Sequence, residues 1–169
     1  MTPLRIASAA VLLILAGAAF SGCSTPNRVE KPGYAVLKVN HDLLDLDGHE
    51  TDIVGDLKQQ AIYQYHLRHT PAHQTGERFK VKWKAPPEVG PVQVRLDVRG
   101  LNAGNETTFD NDTITYDTNE NWAEWTIFDI AGDRFRKLGR VQSWKVTLSA
   151  GGQVKAELPS ANWYGDIKP

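Results

Sequence analysis

The sequence predicts an all-β antiparallel sandwich, and three observations carry that prediction. Apolar and polar residues alternate with period 2 along most of the chain's second half, the pattern of strands that bury one face. Turn signals built from glycine, proline and aspartate separate these runs at intervals of about a dozen residues, the rhythm of a sandwich. The 169 residues include a single cysteine, so no internal disulfide is available and stability must come from packing.

The elements follow in order. "YAVLKV" at residues 34–39 reads as a strand, and "HDLLDLDGHETD" after it as a loop with at most a short strand. The next segment carries two patterns. Asp52 is placed to cap a helix with Ile53, Leu57 and Ala61 along one side, whereas Tyr63, Tyr65 and Leu67 alternate with Gln64, His66 and Arg68. The expectation is a turn or short helix near 53–60 and a strand over 61–69.

Beyond it the alternation is cleaner. Phe79, Val81, Trp83 and Ala85 point one way, and Lys80, Lys82 and Lys84 the other. The proline-rich "APPEVGP" leads to Val92, Val94, Leu96 and Val98, which alternate with Gln93, Arg95, Asp97 and Arg99. "AGD" at 131–133 marks a turn between "AEWTIFDI" and "RFRKL". Trp144, Val146 and Leu148 form one inward row, and Val154, Ala156 and Leu158 another, joined through Gly151-Gly152, a two-residue hairpin signal. The expected architecture is immunoglobulin-like or fibronectin type III-like, without the disulfide of antibody domains.

The first 23 residues carry an address. Arg5 precedes Ile6 to Phe20, an uncharged apolar run of 15 residues that ends in the small Ser21 and Gly22. That is the layout of a secretion signal, and it is shorter than the roughly 20 residues of a membrane-spanning helix. Phe20-Ser21-Gly22-Cys23 resembles the lipobox of bacterial lipoprotein precursors, with Phe20 where leucine is commoner. The resemblance implies cleavage between Gly22 and Cys23, diacylglycerol on the Cys23 sulfur and a fatty acyl group such as palmitate on its new amine. Several acyl chains together give stable membrane anchoring where one does not. Ser24, in place of aspartate, implies passage to the outer membrane in a Gram-negative cell. The expected organisation is a signal peptide over 1–22, a lipidated cysteine and flexible tether over 23–33, and one β-sandwich domain over 34–169. With 19 basic and 20 acidic residues, the charge balance gives no reason to expect nucleic acid as a partner.

Four groups of side chains are candidate sites. His66, His69 and His73 lie close in "YHLRHTPAHQ", while His41 and His49 bracket "HDLLDLDGH"; imidazoles suit Zn²⁺ or Cu²⁺, provided the two clusters meet in space. Pro71 interrupts any helix through the first cluster. Residues 101–133 hold no lysine or arginine but eight carboxylates, and Asp110, Asp112 and Asp117 offer the hard oxygens a cation such as Ca²⁺ prefers. This acidic stretch reads as a solvated loop, with Thr-Ile-Thr-Tyr as an alternative edge strand. Trp122 and Trp125 are candidates for stacking on a ligand, as are Trp163 and Tyr164, whereas Trp83 and Trp144 fall on inward faces. Lys80, Lys82 and Lys84, with Arg95 and Arg99, would form a basic stripe if their strands were neighbours.

No nucleophile elbow, zinc-protease helix or phosphate loop is present in the sequence. The reading is therefore a lipid-anchored envelope protein acting as a non-catalytic binding or structural module. Its expected partners are the membrane, through the lipid, and another envelope protein or polymer; no cofactor is expected. The alternatives are a divalent-metal-binding domain and a hydrolase of envelope polymers.

Overall fold

A computed structural model describes residues 30–51, 56–87, 90–117 and 123–165. The expected leader, Gly22, Cys23 and Trp122 lie outside the described residues, as does Asp52.

Among the described residues, seven strands form two antiparallel sheets. β1 (Ala35–Leu44), β2 (Gly76–Lys84) and β5 (Glu124–Ala131) make one sheet in the order β1-β2-β5. β3 (Val92–Leu101), β4 (Thr107–Tyr116), β6 (Arg140–Ala150) and β7 (Gln153–Pro159) make the other, ordered β4-β3-β6-β7. In the immunoglobulin constant-type division the fourth strand sits beside the fifth. Here β4 crosses to β3 instead, which corresponds to the fibronectin type III-like alternative.

The period-2 residues fill the space between the sheets. Phe79, Val81 and Trp83 of β2 meet Val94, Leu96 and Val98 of β3, with Phe128 and Ile130 of β5 and Val146 and Leu148 of β6 completing the core. Trp83 is fully buried, so its indole N–H needs an acceptor. It donates to Oγ1 of Thr126 at 2.8 Å, and the Tyr116 hydroxyl lies 2.8 Å from the same oxygen. Gly151 and Gly152 have φ of +58° and +71°, the left-handed pair that a type I′ hairpin turn requires.

Three expectations are corrected. Residues 61–69 are not a strand: they belong to α1 (Leu57–His69). The Asp56 side chain caps this helix, accepting from the N–H groups of Lys58 at 2.9 Å and Gln59 at 3.2 Å. The tyrosine alternation misleads because only Gln64 and Leu67, three residues apart, are buried in α1. The acidic stretch is not a loop, since its middle is the edge strand β4. The basic stripe does not form, because Lys80, Lys82 and Lys84 lie on β2 and Arg95 and Arg99 on β3, in different sheets.

Two further details frame the ends of the sandwich. After Gly132 comes α2 (Asp133–Leu138), whose Leu138 packs on Gly100 so closely that a Cβ there would lie 2.3 Å from the Leu138 carbonyl oxygen. Before β1, Glu30 forms a β-bridge with Ala156 and the Lys31 N–H donates to the Lys155 carbonyl at 2.8 Å, so the segment entering the domain runs along β7. Among the described residues, no helix is long and apolar enough to cross a membrane.

Candidate functional site

The sandwich is most elaborated between β1 and β2, where α1 and a 3₁₀ turn over Pro71–His73 pack at the end of β1. Among the described residues β1 is an edge strand, so its outer N–H and C=O groups lack a neighbouring strand there. Gln64 supplies the missing pairing at one residue. Its Oε1 accepts from the Leu43 N–H at 2.8 Å, and its Nε2 donates to the Leu43 carbonyl at 2.8 Å and to the Glu50 carbonyl at 2.7 Å. One buried amide thus fixes α1 against both β1 and the loop after it.

That loop is organised by Asp45. Its Oδ1 accepts from the N–H groups of Asp47 at 2.9 Å and His49 at 2.8 Å, and its Oδ2 from the Tyr63 hydroxyl at 2.5 Å. Burial pushes the Asp45 carboxyl up, but the Tyr63 hydroxyl and the two backbone donors outweigh it and hold its pKa below the ordinary value. Ligand atoms of Asp45, Asp47 and His49 all lie within 4.8 Å of one another.

Across from this loop, α1 and the 3₁₀ turn close a cleft of about 230 Å³, whose walls include Asp45, Asp47, Tyr63, His66 and His73. Pro71 does end the α-helix, but the 3₁₀ turn that follows carries His73 back to the cleft lined by His66. The loop after β1 and the α1–3₁₀ segment therefore meet here, through Asp45 and Asp47 on one side and His66 and His73 on the other, while neither His41 nor His49 lines the cleft. The members do not all join: the His69 Nδ1 pairs with the Tyr65 carbonyl at 2.8 Å and its ring packs on Tyr65. His41 stacks on Phe79 with ring centroids 4.5 Å apart and pairs with the buried Glu77 carboxylate. Asp45 and Asp47 are the residues that the sequence reading missed. Their signal was the "DLDGH" spacing, in which a first aspartate bonds backbone N–H groups two and four residues on.

The other candidates are dispersed. Asp110 and Asp112 face the same side of β4, where Arg134 spans them at 3.0 and 3.2 Å. Asp117 follows the end of β4, seven residues and roughly 23 Å of extended chain from Asp110, too far to share a cation with it. Trp125 is 46% exposed on the outer face of β5, with the Lys82 ammonium 5.7 Å from its ring. Trp163 lies under the Arg99 guanidinium at 4.7 Å.

A second opening flanks the other side of α1. It is a groove of about 480 Å³ between that helix and the strand edge of residues 38–42.

Fold and site together define a β-sandwich module with a helical insertion that shapes two clefts beside one edge strand. The same fold occurs in a crystal structure from Akkermansia muciniphila, which is 8% identical, covers 87% of this chain and 81% of its own, and superposes with a TM-score of 0.51. No family model and no curated protein matches the chain.

Proposed function

We propose that this chain is a lipid-anchored binding module of the bacterial cell envelope, held through Cys23 and non-catalytic. The leader and its lipobox-like end support the anchor. The binding role rests on one observation: the insertion between β1 and β2 gathers Asp45, Asp47, His66 and His73 around one open cleft. A sandwich needs no such insertion to close its core, and concave sites with a few convergent polar groups are where ligands bind. Cys23→Ser is expected to shift the protein from the membrane fraction to soluble or uncleaved precursor. Unchanged membrane association, with no lipid on the cysteine by mass spectrometry, overturns the anchor.

The cleft also favours a second reading, a divalent-metal site. Asp45, Asp47 and His49 offer two carboxylates and an imidazole within 4.8 Å of one another, and His66 and His73 add imidazoles nearby. Mixed nitrogen and oxygen donors suit Zn²⁺. Titration calorimetry with Zn²⁺ should show one site that Asp47→Asn with His49→Ala weakens at least about tenfold. Equal affinity in that variant excludes this reading.

A further inference from the structure

The groove on the other side of α1 has a lining that side chains alone do not explain. Five consecutive residues of β1, from Lys38 to Asp42, border it. Successive side chains of a strand point to opposite faces, so an unbroken run lines a groove only when the groove follows the strand's edge. The exposed surface here is therefore the backbone of β1 itself.

The pairing pattern identifies the free groups. In an antiparallel strand, the N–H and C=O of alternate residues face the same neighbour. Leu43 turns both groups outward to Gln64, so those of His41 and Val39, two and four residues earlier, point the same way. Neither residue has a backbone partner on that side among the described residues. Gln64 occupies the place of a neighbouring strand at Leu43 and leaves the next two places open.

Charge defines the occupant. Asp42, the one acidic residue among those bordering the groove, pairs with Lys80 at 3.6 Å. Lys38 and Arg68 both border the groove and are exposed, and neither has an ion pair among the described residues. Leu57 and Ala61 of α1 add a small apolar wall opposite the strand.

We propose that this groove binds an extended, acidic peptide segment, which adds to the free edge of β1 as a further strand. Its backbone would pair with Val39 and His41 up to the stop at Gln64, and its carboxylates would face Lys38 and Arg68. This mode takes affinity from main-chain hydrogen bonds and selectivity from alternate side chains. It deepens the binding-module reading by naming a partner class, and it depends neither on the lipid anchor nor on a metal.

The test uses the full chain in detergent micelles and a short peptide alternating glutamate with valine, beside its lysine counterpart. The glutamate peptide should protect the Val39 and His41 amides from hydrogen exchange. The double reversal Lys38→Glu with Arg68→Glu should weaken its binding about tenfold and leave the exchange of core amides unchanged. The proposal is overturned if millimolar peptide leaves both amides unprotected, or if the reversal leaves affinity the same. It is equally overturned if Lys38 and Arg68 engage only anionic phospholipid vesicles. Loss of membrane association in Cys23→Ser bears on the anchor alone, so the two failures are distinguishable.

Discussion

The side-chain amide of Gln64 pairs with both backbone groups of Leu43, as an adjacent strand would. Gln64 is 4% exposed and Leu43 half-buried, so the pair is largely shielded from water. Truncating one partner of a buried pair leaves the other unsatisfied, at a cost of about 1–3 kcal/mol. Gln64→Ala should therefore lower stability in urea denaturation by about that amount. It should also speed hydrogen exchange at Leu43 more than in the core of β3. Unchanged exchange at Leu43 would show that α1 is held by other contacts.

A second buried bond is open to the same test. Thr126→Val keeps the side-chain shape but removes the acceptor of the Trp83 indole N–H and the partner of the Tyr116 hydroxyl. The expected loss is about 1–3 kcal/mol, with a shift in tryptophan fluorescence. Trp83→Phe combined with Thr126→Val should be less than additive, because the two residues share one bond.

Gly100 tests the packing of α2. Alanine there would place its Cβ 2.3 Å from the Leu138 carbonyl oxygen, a backbone atom that moves only if α2 moves. Overpacking of this kind costs about 1–3 kcal/mol. Gly90→Ala is the control, since a Cβ at that position meets nothing within 4 Å. The difference between the two melting temperatures measures the contact.

Asp45 predicts a pH dependence. Its folded pKa lies below the unfolded value, so its contribution to stability is present above the unfolded carboxyl pKa of about 3.9. That contribution is lost as pH falls through the lower folded value. Tyr63→Phe removes the side-chain hydroxyl that helps depress this pKa. The stability gap between wild type and Tyr63→Phe should be constant near neutrality and narrow below about pH 4. A gap that widens in acid would contradict the assignment.

Much of the sandwich was legible because an inward row on a half-buried strand must be apolar at every second residue. Phe79-Val81-Trp83 and Val94-Leu96-Val98 show this without ambiguity, as does the Gly151-Gly152 turn. α1 was illegible for the converse reason. Its buried contact is made by a glutamine and a leucine, so no apolar stripe marks it, while exposed Tyr65 imitates a strand. β4 was obscured by its acidic residues, two of which are neutralised by an arginine more than twenty positions away.

The site divides in the same way. His66 and His73 are legible through residue type and proximity in sequence, and Asp45 and Asp47 through the turn-forming spacing of "DLDGH". Local sequence alone determined which segments alternate and where turns fall, because these depend on neighbours along the chain. Tertiary structure decided that β4 joins β3, that α1 is a helix and that the loop at Asp45 faces His66 and His73. Those outcomes depend on pairings between residues far apart in sequence, such as Gln64 with Leu43, whose energy exists only once the chain has folded.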